Sequence, residues 1–205
     1  MERESGTIFR KMEGEGSMSN PLIIGFGSKA RQGKDTAAEA IVNYYDMERG
    51  QQRRLGLEVS VPFAVRIGFA DALYDVARTE YGMKEKDAPL LQRIGAERRV
   101  DDSEYWIKRA FAKIKPYHDI VVIPDVRYKN EAVYVKNMGG YLVNVTRLNG
   151  DGTPFVDPGR PADHPSEIDL DNWNWDFKFV ISDGHAALTG ELAVTLSEYL
   201  RKIRQ

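Results

Sequence analysis

The chain contains no cysteine in 205 residues. That excludes disulfides and thiolate metal sites, and it suits a reducing compartment. No apolar run reaches the ~18 residues that a membrane span requires, so no membrane partner is expected. Neither sign of charge dominates: 29 Lys and Arg stand against 31 Asp and Glu, for a net charge of -2. Proteins that grip a polynucleotide usually carry a basic surplus, so a long nucleic acid is not an expected partner. The opening stretch, MERESGTIFRKMEGEGSMSN, lacks the apolar middle of a secretory signal. Its Gly, Ser and Glu content reads as a flexible tail over residues 1–19, ahead of one domain over residues 20–205. These readings together favour a cytoplasmic protein.

What is present is a globular balance, with 42% apolar and 29% charged residues. Short apolar runs alternate with helix-like segments. PLIIGFG, AVRIGFA (64–70), DIVVIPD, YLVNVTR and FKFVISD read as five strands. Helices are expected after them. One carries Ala37, Ile41 and Tyr44 on its inner face. One begins at Asp71 and stops at Gly82. A last one, 186–203, turns Leu188, Leu192, Tyr199 and Ile203 inward. Residues 49–61 read as a polar loop and 83–103 as a charged stretch. Residues 148–170 hold four prolines and form a long polar segment, which reads as a lid-like insertion. Strands linked by helices imply an α/β class: a three-layer α/β/α sandwich with a mainly parallel five-stranded sheet. Ligands then bind at the C-terminal strand ends. The loop 27–35, Asp71, Asp125 and Arg127 should converge there on one rim.

The most informative stretch is GSKARQGKDT, residues 27–36. It lies between an apolar run and an amphipathic helix, the setting of a phosphate-binding loop. Against the pattern G-x-x-x-x-G-K-[ST], Ser28 takes the first glycine slot and Asp35 the hydroxyl slot. Glycines let such a loop wrap closely, its N–H groups point inward, and the following helix adds positive potential. Ser28, Lys29, Ala30, Arg31, Gly33, Lys34, Asp35 and Thr36 are therefore the candidate cradle for a nucleotide triphosphate. Lys34 brings a full charge to the β- and γ-phosphates. A carboxylate is a good hard ligand for Mg²⁺, so Asp35 can assume the role of the missing hydroxyl, with Thr36 one position on.

Asp125 ends the most apolar strand and is a second candidate metal ligand. It also suits the capping of a turn. Arg127 has the planar fork that matches a phosphate, or it pairs with Asp125 or Glu131. Asp71 suits an N-cap as well as a contact to the acceptor. Arg147 and Arg160 bracket the long polar segment, where closure would bring them onto phosphates. Trp173 and Trp175 read as core packing ahead of base stacking.

The loop K-x-R-x-G-K-D-T resembles that of the deoxynucleoside monophosphate kinases encoded by bacteriophages. FADAL (69–73), PDVRYKNEA (124–132) and DHPSEIDLDNWNWDFKFVISDG (163–184) resemble further motifs of that family in the same order, with LLQRIGAE and YW (90–106) a weaker match. Tyr74 departs from it, where the family often has Lys. The resemblance implies a P-loop NTPase fold and transfer of the γ-phosphoryl group of Mg-ATP to a deoxynucleoside monophosphate. Lys34, Arg127 and Asp125 would be catalytic. Asp71, Arg127, Glu131, Arg160, His164, Ser166 and Glu167 would lie on the acceptor side, with Glu167 ordering basic side chains. A homodimer is left open, as is residence in a host cytoplasm. The animal phosphomevalonate kinases resemble the same family and are the alternative, with other small-metabolite kinases. A nucleotide-binding module without transfer chemistry is the alternative of another class.

Overall fold

The computed structural model describes residues 20–159 and 161–204. The expected tail, 1–19, and Arg160 lie outside the described residues. Five strands form one sheet in the order β2-β3-β1-β4-β5: β1 Leu22–Gly27, β2 Ala64–Arg66, β3 Ile120–Val126, β4 Tyr141–Arg147 and β5 Phe177–Ile181. All four pairings are parallel. The central strand β1 is buried along its whole length, which is why it reads as a continuous apolar run. The edge strand β5 alternates, with Phe179 and Ile181 inward and Lys178 and Val180 outward.

Helices α1 (Lys34–Arg54) and α7 (Ala186–Ile203) supply the core on one face, where Ala37, Ile41, Tyr45 and Leu200 meet Ile24, Phe26, Val122 and Val143. On the other face α2 (Phe69–Tyr81), α4 (Tyr105–Phe111) and α5 (Lys129–Asn137) meet Ile23, Val121, Ile123 and Leu142. Helix α3 (Ala88–Asp101) completes a satellite cluster with α2 and α4 around Ile94 and Trp106. The fold is a three-layer α/β/α sandwich, with helices on both faces of an all-parallel sheet. The neighbours β1 and β3 send their following helices, α1 and α5, to opposite faces. Their loops therefore part at the C-terminal rim and open a crevice there.

Several local expectations need correction. Helix α1 continues through residues 49–54, because Gln and Arg sustain a helix and the half-buried Gly50 is tolerated; it ends before Gly56, at φ 67°. Strand β2 spans only Ala64–Arg66. The stretch 83–103 contains the whole of α3, started by Asp87, whose carboxylate accepts the Leu90 N–H at 2.9 Å. Helix α2 starts two residues before Asp71, which is therefore not its N-cap. The inner residue of α1 is Tyr45 rather than Tyr44. In α7, Leu188, Tyr199 and Ile203 are exposed, and Thr189, Gly190, Ala193, Leu196, Ser197 and Leu200 face inward. This helix runs so close to α1 that a β-carbon on Gly190 would lie 2.9 Å from the β-carbon of Ala40. Small residues, not the largest apolar ones, mark such a contact.

Candidate active site

The candidate phosphate loop occupies residues 28–33 between β1 and α1. Two residues take left-handed backbone: Gly33 at φ 97°, where glycine is at ease, and Arg31 at φ 55°. Lys34, the first residue of α1, is 4% exposed, and its ammonium donates to the Lys29 carbonyl. Burial, and then the neighbouring Arg127 charge, lower its pKa to about 7, against the opposing pull of Asp35, Glu167 and Asp125.

Across the crevice, Asp125 in β3 reaches over to α2. Its two oxygens accept the N–H groups of Phe69 at 3.0 Å and Ala70 at 2.7 Å, capping that helix from another strand. Burial raises the Asp125 pKa despite these bonds, and Asp71 adds to the rise. Gly68 makes the approach possible: a β-carbon there would come within 2.8 Å of Asp71 Oδ2 and 3.2 Å of Asp125 Oδ2.

Arg66, at the end of β2, bridges two of the expected residues. It donates to Asp35 Oδ1 at 3.0 Å and to Asp71 Oδ2 at 2.6 Å. Asp35 therefore has a cationic partner 31 positions away, a contact with no local signal.

Arg127 follows β3 and donates to Glu167 Oε1 at 2.9 Å. The other Glu167 oxygen accepts the loop N–H of Ala30 at 2.8 Å. One buried carboxylate thus ties the phosphate loop to the arginine. Glu167 sits in the short helix α6 (Pro165–Ile168), which His164 caps: its Nδ1 accepts the Ser166 N–H at 3.2 Å and lies 2.9 Å from Ser166 Oγ. Glu131 takes the backbone N–H groups of Arg127 at 2.8 Å and Tyr128 at 3.1 Å, and burial raises its pKa to about 7. It braces the backbone of Arg127 rather than pairing with its guanidinium.

The long segment 148–170 folds over the loop. Gln32, 3% exposed, donates to the Phe155 carbonyl at 2.7 Å and accepts the Arg147 N–H. Lys29 pairs with Asp171 at 3.3 Å and Arg31 with Asp157 at 3.5 Å. The two loop cations thus reach toward acids of the covering chain. Arg147 pairs with Asp183 at 2.9 Å and lies over the Phe155 ring. A cavity of about 330 Å³ remains beneath this cover, lined by Lys29, Gln32, Arg127, Asn144, Thr146 and Trp175 among others.

The crevice brings together Lys34, Asp35, Asp71, Asp125, Arg127 and Glu167. Ser28 lines the cavity, and Thr36 is exposed in the first turn of α1. Gln32 and Arg66 escaped sequence reasoning. Gln32 is a featureless position within the loop. Arg66 ends a strand, and that place on the rim is the one signal it offers.

The candidate donors for a divalent cation are Asp35 and Asp125. Among the described residues no group of three or more His, Asp or Glu side chains could hold a metal by itself. A pair suffices for Mg²⁺, which is usually held by one or two carboxylates together with substrate phosphates and water. Asp35, whose side chain is 70% exposed, keeps Arg66 on Oδ1 and leaves Oδ2 for that purpose.

No family model matches the chain. Over 59 residues it is 42% identical to an Acanthamoeba polyphaga mimivirus protein named "Putative deoxynucleotide monophosphate kinase". That match spans 28% of this chain and 25% of the relative. Among solved structures, an APS kinase of Mycobacterium tuberculosis superposes with a TM-score of 0.42 at 12% identity, covering 87% of this chain and 98% of that one. A "putative kinase" from Chloroflexus aurantiacus gives 0.48 at 11% identity, covering 90% and 98%. Among the described residues no helix is long and apolar enough to cross a membrane.

Proposed function

We propose that the chain transfers the γ-phosphoryl group of Mg-ATP to a deoxynucleoside monophosphate, giving the diphosphate and ADP. The observation that carries this reading is the pair of cationic positions on opposite walls of one crevice: buried Lys34 at the head of α1, and Arg127 held by Glu167 after β3. Two polyanions brought together need such walls, because their mutual repulsion is the main obstacle to reaction. The local identity to a protein named for deoxynucleotide monophosphates supports the choice of acceptor, as do the four ordered motifs.

In this mechanism the loop N–H groups and Lys34 hold the β- and γ-phosphates of the donor. Arg127 holds the oxygens that face the acceptor. An acceptor phosphate oxygen attacks the γ-phosphorus in line, and the bond to the β,γ-bridging oxygen breaks as ADP leaves. No strong base is needed, since the acceptor is already an anion. Glu167 keeps Arg127 and the loop at a fixed separation, and the segment 148–170 excludes water. Bound Mg²⁺, carried by Asp35 and Asp125 together with the phosphates, would neutralise charge on the transferred group.

A coupled ADP-release assay tests this. Each deoxynucleoside monophosphate, the ribonucleotides, phosphomevalonate and a blank without acceptor are compared, with Lys34→Ala as control. ADP release with one or more deoxynucleotides, lost in the control, supports the reading. Release with phosphomevalonate alone, or release independent of any acceptor, overturns it.

A further inference from the structure

We propose that Arg66 grips the acceptor's phosphate, and that Asp35 and Asp71 hold its guanidinium ready until a divalent cation on the donor draws Asp35 away. The inference rests on the phosphotransfer reading above and assigns a binding residue to it.

The position comes first. Arg66 ends β2, on the rim where the phosphate loop and Asp125 also lie. It stands beside the first turn of α1 on one side and the first turn of α2 on the other, through Asp35 and Asp71. An acceptor phosphate approaching the γ-phosphate from the β2–β3 side of the crevice meets this side chain.

The hydrogen-bonding capacity comes second. A guanidinium has five N–H donors. Nη1 serves Asp71 and Nη2 serves Asp35. Nε is buried and has no partner among the described residues. An orphaned buried donor is costly, and one beside a candidate site is a position that a bound anion could satisfy. Arginine matches phosphate with a two-pronged contact, and Nε with one Nη is such a prong. The side chain as a whole is 31% exposed, so an anion can reach its outer edge, and the buried Nε comes within reach only once Asp35 lets go of Nη2.

Charge decides the order of events. With both aspartates ionised, the cluster carries one net negative charge and repels a free phosphate. A divalent cation beside Asp35 reverses that sign and loosens the contact between Asp35 and Nη2. The acceptor then finds a free, positive fork. This explains an aspartate in a slot that is usually a hydroxyl: Ser or Thr can hold a cation, but neither can hold an arginine by charge. Asp35 links the donor's arrival to the acceptor's grip.

The experiment is equilibrium binding by calorimetry, run beside the transfer assay. Each deoxynucleoside monophosphate is titrated into wild type, Arg66→Met and Arg66→Lys, with and without Mg²⁺ and a non-hydrolysable ATP analogue. Wild type should bind the acceptor at least about tenfold more tightly when Mg²⁺ and the analogue are present, a coupling of ordinary size. Arg66→Met should lose about tenfold to a hundredfold in acceptor affinity, the weight of a charge-assisted contact, while affinity for Mg²⁺ with the analogue does not fall, because Asp35 is released. Arg66→Lys keeps the charge but not the fork, and should fall between them; it also serves if the Met variant does not fold. Acceptor affinity equal to wild type in either folded variant overturns the role of Arg66. Wild-type affinity indifferent to Mg²⁺ and the analogue overturns the link through Asp35. A wild type that binds the acceptor in this way but releases no ADP sinks the transfer reading and leaves the grip standing. A wild type that binds no acceptor sinks both.

Discussion

The indole of Trp175 lies directly across Gly27, so that a β-carbon on this glycine would come within 2.3 Å of the ring. Gly27 stands one place before the first glycine slot of the loop pattern, and the indole explains it. It ends β1 beneath an aromatic side chain and is wedged against the Val126 carbonyl, 2.9 Å from the same β-carbon position. Gly27→Ala should cost about 1–3 kcal/mol through overpacking. Adding Trp175→Leu should recover part of that loss, because the ring is the nearer obstacle. Urea unfolding of the wild type and the two variants decides it. An unchanged midpoint for Gly27→Ala would show that the ring moves aside freely.

Lys34 should take up a proton when nucleotide binds. Its pKa of about 7 leaves it mostly neutral at pH 8, and a bound phosphate draws it back to the ammonium form. At pH 6 it is already charged, so uptake at this site should vanish. Calorimetry in two buffers of different ionisation enthalpy measures the difference, and Lys34→Met should abolish it. No uptake at pH 8 by wild type would contradict the buried, depressed state.

Gln32 should control the covering segment. Its side chain closes two bonds, to the Phe155 carbonyl and the Arg147 N–H, across 123 and 115 positions of sequence. Gln32→Ala leaves both groups without that partner and should cost about 1–3 kcal/mol. Hydrogen exchange should accelerate at Arg147 and across residues 148–156, and far less in α7. Uniform acceleration would mean that the variant weakens the whole fold.

Glu131 should make stability fall with rising pH. Its folded pKa, about 7, lies above its ordinary 4.5 because of burial. Between these values the folded state binds more protons than the unfolded state, so stability declines as pH rises from about 4.5 through 7. Glu131→Gln keeps an oxygen for the N–H groups of Arg127 and Tyr128 but cannot ionise. Relative to wild type it should gain on the order of 2 kcal/mol between pH 5 and pH 8. Parallel pH profiles for the two proteins would argue against a buried, titrating carboxyl.

Glu167→Gln should separate orientation from folding. An amide oxygen can still accept the Ala30 N–H, but the charge that pairs with Arg127 is gone. Under the proposed mechanism kcat should drop by about tenfold or more, with the thermal midpoint shifting little. A large stability loss with unchanged kcat would make the bridge purely structural.

The strand–loop–helix turn at residues 28–33 was legible because its signals are local: an apolar run, a glycine before the lysine, and that lysine at the start of a helix. The rim was legible for a related reason. Asp71, Asp125 and the loop each follow an apolar strand, and parallel strands place such residues at one end of the sheet. Helix faces were read less well. In α7 the largest apolar residues, Leu188, Tyr199 and Ile203, point to solvent, while Gly190 and Ala193 face inward. Hydrophobic size misleads where two helices approach closely.

The sequence by itself therefore determined the layered α/β architecture, the loop, and the set of charged residues that gather at its mouth. Their partners were decided by the tertiary structure. Arg66 meets Asp35 across 31 positions, Glu167 meets the Ala30 amide across 137, and Trp175 covers Gly27. Each contact depends on which strands are neighbours and on how the chain between β4 and β5 folds back over the rim. Strand order and chain return are non-local, set by burial of both sheet faces at once. No window of sequence shorter than the domain carries them.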